Sequence, residues 1–180
     1  RSTDPDGRTT YFGYDALSRQ TAIAYPDGAT SYYHYDPNGN ATVSQDERGW
    51  TYFEYDPMNR LTEEVAPDGI ATEHAYDRAG LRSSVGVYGL QQTYYEYDAA
   101  GRMVKAVNPA MGTTYYQYDP VGNVTYKRLG NGCFTYFAYD EANRIEAILN
   151  CKPDGSPVCY FEYEYDPASR ITSIRRENGV

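Results

Sequence analysis

The dipeptide Tyr-Asp recurs eight times in this chain, at Tyr14-Asp15, Tyr35-Asp36, Tyr55-Asp56, Tyr76-Asp77, Tyr97-Asp98, Tyr118-Asp119, Tyr139-Asp140 and Tyr165-Asp166. Successive copies lie 21, 20, 21, 21, 21, 21 and 26 residues apart. A fixed period this short means one small structural unit written out repeatedly, each copy too small to bury a face alone and therefore packed on its neighbours. Four residues after the Asp stands an Arg in five copies: Arg19, Arg60, Arg102, Arg144 and Arg170. Asn40, Leu81 and Asn123 take that place in the others.

Within a repeat, residue types alternate. Phe12-Gly13-Tyr14, Tyr33-His34-Tyr35, Phe53-Glu54-Tyr55, Tyr95-Glu96-Tyr97, Tyr116-Gln117-Tyr118 and Phe137-Ala138-Tyr139 set rings or their equivalents two residues apart. A period of two is a strand. The Tyr just before each pair (Tyr11, Tyr32, Tyr52, Tyr94, Tyr115, Tyr136) falls on the opposite face by the alternation of the pleat. Turn formers such as Pro37-Asn38-Gly39-Asn40 follow, then a second, less aromatic strand such as Gln20-Thr21-Ala22-Ile23, which ends on Pro26-Asp27-Gly28. Each repeat thus reads strand, turn, strand, turn. The expected fold is all-β: a single array over residues 1–180 of antiparallel β-hairpins, sixteen strands, paired edge to edge into one continuous curled sheet.

Composition supports that architecture and excludes several functions. Leu, Ile, Val and Phe together number only 27 against 22 Tyr, too few for an aliphatic core of the usual kind. Tyr suits a sheet with both faces near water. We expect each ring to stack on the equivalent ring of the next hairpin while its hydroxyl reaches water or a partner. The Arg is expected to bridge to a neighbouring carboxylate or to lie on a Tyr face. A net charge of −9, with no basic cluster beyond Arg175-Arg176, argues against a nucleic-acid partner. The chain holds no run of 18 apolar residues and no signal-peptide pattern, so neither membrane insertion nor a leader is expected. It opens on Arg1 rather than Met, as a processed piece or fragment would.

Tyr97-Asp98-Ala99-Ala100-Gly101-Arg102-Met103 and Tyr55-Asp56-Pro57-Met58-Asn59-Arg60-Leu61, each followed some ten residues later by Pro-x-x-Gly or Pro-Asp-Gly, resemble the YD repeat, also called the RHS repeat. The resemblance covers nearly the whole chain. It implies a β-strip that spirals into a hollow shell. In bacterial polymorphic toxins and Tc toxin complexes such a shell encloses a toxic enzyme, and in teneurins a related barrel belongs to an adhesion receptor. It implies flanking repeats and an encapsulated C-terminal effector of a parent protein as partners, a secreted or cell-surface location, and a proposed affinity for carbohydrate. The autoproteolytic segment of the bacterial members has no counterpart here; Asp4-Pro5-Asp6-Gly7 echoes it, but Pro-Asp-Gly recurs in three other turns.

Candidates for chemistry are few. Cys151 and Cys159 flank a hairpin turn and are expected to form a disulfide, with Cys133 left as a filler beside Phe134. Trp50 and Tyr52 offer flat faces on which a glycan could stack. Asp36, Asn38, Asn40, Thr42, Ser44 and Glu47 have the spacing of a calcium loop, but Ala41 stands where that loop needs Gly. Asn40-Ala41-Thr42 and Asn123-Val124-Thr125 are glycosylation sequons. His34 and His74 occupy strand positions and converge with no other catalytic group; no phosphate loop or nucleophile motif is present.

The sequence therefore points to a non-catalytic structural segment of a shell, without metal or cofactor, whose residues of interest are the repeated Tyr, Asp and Arg. The alternatives are a carbohydrate-binding or adhesion module using Trp50 and Tyr52, and part of an autoprocessing toxin whose protease lies elsewhere. Neither end of the array carries an obvious cap, so edge-to-edge self-association is expected.

Overall fold

The structure, a computed structural model, describes residues 1–178. It contains seventeen strands and, among the described residues, no helix. The all-β expectation holds; the extra strand is β1 (Ser2–Thr3), a two-residue piece laid on β2 (Thr9–Tyr14). The chain divides into two compact units, residues 1–77 with 84–90, and residues 78–83 with 91–180. Both are built from the same repeat.

In the first unit β2 is followed by β3 (Gln20–Ala24), β4 (Thr30–Tyr35), β5 (Ala41–Asp46), β6 (Gly49–Tyr55), β7 (Leu61–Val65) and β8 (Ala71–Tyr76), each antiparallel to the one before. The residues of β9 (Arg82–Val87) are shared out between the units. The second unit continues with β10 (Gln92–Tyr97), β11 (Met103–Asn108), β12 (Gly112–Tyr118), β13 (Val124–Arg128), β14 (Phe134–Tyr139), β15 (Ile145–Cys151), β16 (Pro157–Tyr165) and β17 (Ile171–Asn178), again paired in sequence order.

The Tyr-Asp turns and the Pro-Asp-Gly turns share one loop geometry. At the Tyr-Asp turn the Asp15 carbonyl accepts from Ser18 N–H at 3.0 Å, and Asp15 N–H donates to the Arg19 carbonyl at 2.9 Å. The residue before the Arg place is left-handed: Ser18, Asn59, Asn143 and Ser169 have φ of 58–61°, and Gly fills the place elsewhere. This is a tight turn closed by a left-handed residue, which explains why Gly, Asn and Ser recur there. The Pro-Asp-Gly turns repeat the pattern, as in Tyr25 to Ala29. A register shift adjoins the motif Tyr in hairpins closed by a Tyr-Asp turn, for example between Gly13 and Tyr14 and between Gln117 and Tyr118. The extra residue stands in the following strand, Thr21 and Thr125 in these two cases, so the Tyr strand keeps its alternation.

Almost nothing is fully buried: Cys151 and Ser31 alone among the described residues fall in that class. The expected disulfide does not form, and all three cysteines are free thiols. Register explains it. Cys159 lies opposite Asn150, not Cys151, and adjacent strand residues face opposite ways. Asn150 Nδ2 accordingly donates to Cys159 Sγ at 3.3 Å, while Cys151 packs across from Phe134 on the other face. Intact mass should be the same before and after reduction; a gain of two hydrogens on reduction would restore the bridge.

Candidate functional site

The repeated Tyr, Asp and Arg form an interlocking rung. Asp15 Oδ1 accepts from the N–H groups of Leu17 and Arg19, both at 2.9 Å, and its Oδ2 takes Arg19 Nε at 2.7 Å. The carboxylate thus closes its own turn and fixes the Arg. The guanidinium then reaches into the next repeat, donating to the Asp36 carbonyl at 2.8 Å and lying 4.8 Å from the centre of the Tyr35 ring. Tyr35 answers: its hydroxyl donates back to the Gln20 carbonyl at 2.7 Å.

The same geometry recurs down each unit. Arg60 covers Tyr76 at 4.4 Å, Arg102 covers Tyr118 at 4.7 Å and Arg144 covers Tyr165 at 4.5 Å. Arg102 and Arg144 donate to the carbonyls of Asp119 and Asp166. Tyr55 and Tyr76 donate to the carbonyls of Ala41 and Leu61; Tyr97, Tyr118, Tyr139 and Tyr165 donate to those of Arg82, Met103, Val124 and Ile145. Every motif Tyr after the first is therefore bonded to the residue just beyond the Arg place of the preceding repeat.

Two sequence expectations change here. At four steps a guanidinium, not the preceding motif ring, lies over the motif Tyr, while direct ring contacts 5.1–5.9 Å apart join Tyr126, Phe134 and Tyr136. A cation over a ring, held by a carboxylate behind it, gives a directional link that two phenols at this spacing lack. The Asn copies also work differently. Asn40 Nδ2 donates to Asp36 Oδ2 at 2.8 Å and to Asn59 Oδ1 at 2.9 Å, and Asn123 Nδ2 does the same to Asp119 and Asn143. The amide nitrogen a glycan would occupy in either sequon is thus engaged in a rung. The stretch with calcium-loop spacing is likewise a rung turn running into β5.

The carboxyls of Asp15, Asp36, Asp56, Asp98, Asp140 and Asp166 are held below their ordinary range. At Asp56, Asp98 and Asp140 the partner guanidinium's hydrogen bond is the largest cause, followed by the backbone N–H of the same Arg; at Asp15 and Asp166 the backbone N–H comes first. At Asp36 the Asn40 amide leads. Burial raises the phenols of Tyr55, Tyr118 and Tyr139. Carboxyls of the unfolded chain take up protons first, near their ordinary value of about 4, so the rung contribution is complete above that pH and is lost as pH falls through the lower folded values. For the phenols the sign reverses: their contribution is complete below about 10 and declines as the unfolded chain ionises first. Urea midpoints measured against pH should be flat between these limits with a fall at each side, and Asp98→Asn should flatten part of the acid limb. A midpoint unchanged down to pH 2 contradicts the reading.

Trp50 and Tyr52 sit on the face away from the motif rings. Gln45 pairs with both Tyr32 and Trp50, and Val43 with Tyr52, so Tyr32, Trp50 and Tyr52 share one face with Tyr11, which joins it through Ala24 and Ala22. They are 42–56% exposed. Rings two strands apart on such a face stand roughly 10 Å from each other.

Comparison with known proteins agrees with this geometry. No curated protein matches the chain. Among solved structures, a crystal structure of TcdB2-TccC3-TEV superposes with a TM-score of 0.69 at 15% identity, over 94% of this chain and 11% of that one. The likeness is one of fold, and the chain spans about a ninth of that relative. A Tc holotoxin pore from Photorhabdus luminescens is also similar, at 15% identity over 95% of this chain and 14% of that one, with a TM-score of 0.38. That score is too low to carry an argument. The Teneurin YD-shell family model matches residues 3–179, nearly the whole sequence and all eight motifs, and the chain belongs to that family.

Proposed function

We propose that this chain is a length of shell wall whose parent protein encloses or displays an effector or toxin domain, continued by flanking repeats, at the cell surface or outside the cell. The observation that carries the reading is the interlock itself: from Arg19 to Tyr165 the polar groups of the motif serve the adjoining repeat and converge on no reaction centre. The structural role of the family fits this use, and TcdB2-TccC3 structures supply the fold precedent. The test is limited proteolysis of the complete gene product. An effector segment resistant to protease while the rungs are intact, and cut once Arg102→Glu breaks one, supports the proposal. Equal susceptibility in both proteins defeats it.

The exposed row of Tyr11, Tyr32, Trp50 and Tyr52 favours a second reading, in which this face also stacks on sugar rings. Binding on a glycan array that disappears in Trp50→Ala, without change in folding, supports it. Binding that is absent, or unaffected by Trp50→Ala, removes it.

A further inference from the structure

Within the first unit a cleft of about 380 Å³ opens between two successive turns, the one after β3 and the one after β5. Tyr25 and Asp27 form one wall, Asp46 and Glu47 the other, and Ser31 and Tyr33 of β4 lie between them. Three carboxyl groups thus line a space whose walls, among the described residues, include no Lys or Arg. Arg48 binds Asp46 but belongs to the next cleft along, where it stands in the wall with Thr51, Glu64 and Asp68. The two acidic walls are two strand spacings apart, roughly 10 Å.

Ser31 is the group that marks this cleft out. It is only 7% exposed, yet among the described residues its hydroxyl makes no hydrogen bond. Other repeats show what the place usually does. Ser31 stands four residues before its motif Tyr, as Thr93 and Thr135 do, and Asp46 stands eleven after, as Asn108 and Asn150 do. Asn108 Nδ2 donates to Thr93 Oγ1 at 2.8 Å, and Thr135 Oγ1 donates to Asn150 Oδ1 at 2.9 Å. Asp46 instead accepts from Arg48, its Oδ1 from the N–H at 2.9 Å and its Oδ2 from Nε and Nη2 at 3.0 and 2.6 Å. The serine hydroxyl is left open, and a buried polar group without a partner favours whatever supplies one.

We propose that this cleft binds a short aliphatic diamine, with one ammonium group between Ser31 Oγ and the Asp46 carboxylate and the other at the mouth, between Asp27 and Glu47. Carboxylates only accept, so the ligand must donate, and two acidic walls call for a charge at each end. The rings of Tyr25 and Tyr33 suit a cation carried on a hydrocarbon chain. The volume falls at the lower end of the small-molecule range, about 300–1,000 Å³. No group of carboxylates among the described residues could hold a metal ion, which favours an extended organic cation over a bare one. The inference goes beyond the shell and glycan readings, which use neither Ser31 nor these carboxylates.

Titration of the whole chain with putrescine, followed by amide NMR shifts at physiological salt, tests this. Saturable shifts centred on residues 25–47 are expected, with a Kd of about 1 mM or tighter. Ser31→Ala should weaken binding about tenfold, since it removes a hydrogen bond to a charged group. Glu47→Gln, at an exposed position, should weaken it about threefold. Asp68→Asn, in the next cleft, should leave it unchanged. Butanediol and calcium chloride should move none of these signals. Circular dichroism checks the fold of Ser31→Ala; if that variant does not fold, Glu47→Gln against Asp68→Asn decides. Shifts that do not saturate, affinity indifferent to Ser31→Ala and Glu47→Gln, an equal loss in Asp68→Asn, or equal shifts with the diol or calcium overturn the proposal.

Discussion

Tyr118→Ala is expected to destabilise the second unit by about 3 kcal/mol, whereas Tyr118→Phe should cost about 1 kcal/mol. The first removes a half-buried ring, the face under Arg102 at 4.7 Å and the hydroxyl bond to the Met103 carbonyl at 2.7 Å; the second removes the hydroxyl bond alone. The Ala variant also leaves the Arg102 guanidinium without its ring, although Asp98 still holds it. Tyr115→Ala provides the contrast, because Tyr115 stands on the opposite face, 42% exposed, and should cost under about 1 kcal/mol. Urea unfolding gives the total, and amide exchange of β11 and β13 shows whether the loss is local to the rung. Equal effects for Tyr115 and Tyr118 would remove the rung as the source of cohesion.

Gly130→Ala should be at least as severe, about 3 kcal/mol or more, for a steric reason. A Cβ built on Gly130 collides with the Met111 carbonyl oxygen and falls 2.8 Å from Gly112 Cα. Both obstacles are backbone, and neither can rotate away. Two successive turns are in main-chain contact here. Gly122→Ala is the control: a Cβ there meets nothing within 4 Å, although φ is +104°. Its cost is that of the left-handed conformation, about 1–2 kcal/mol. Thermal melts of the two variants should therefore separate clearly, and coincident melts would show that the turns can move apart.

Strands, turns and the eight-fold count were legible because they follow from local rules: period two, turn chemistry, and the recurrence of Tyr-Asp. The cross-repeat chemistry was not. That Arg19 lies over Tyr35, sixteen residues on, depends on the pairing of β3 with β4 and on the reach of the guanidinium, and neither leaves a mark in composition. Ring stacking was the natural expectation from so many Tyr, but wherever the motif carries Arg before the next repeat the guanidinium lies over the following motif ring. The disulfide failed on an offset of one residue: Cys151 and Cys159 are close along the hairpin yet register sets Asn150 opposite Cys159. Asn40 and Asn123 looked like departures from the motif, and in the structure each bonds both the Asp of its own repeat and an Asn of the next.

The 26-residue repeat shows what the architecture leaves adjustable. Its turn, Lys152 to Ser156, keeps the standard loop, and the added residues lie in lengthened arms, seven in β15 and nine in β16. Extra length thus enters as residue pairs along a hairpin plus one bulged residue, Val158, leaving the Arg144–Tyr165 link in place. Reach across the wall and the tally of motifs along it are independent variables: in-frame additions can raise a parapet at one point while the spine beneath it keeps its step.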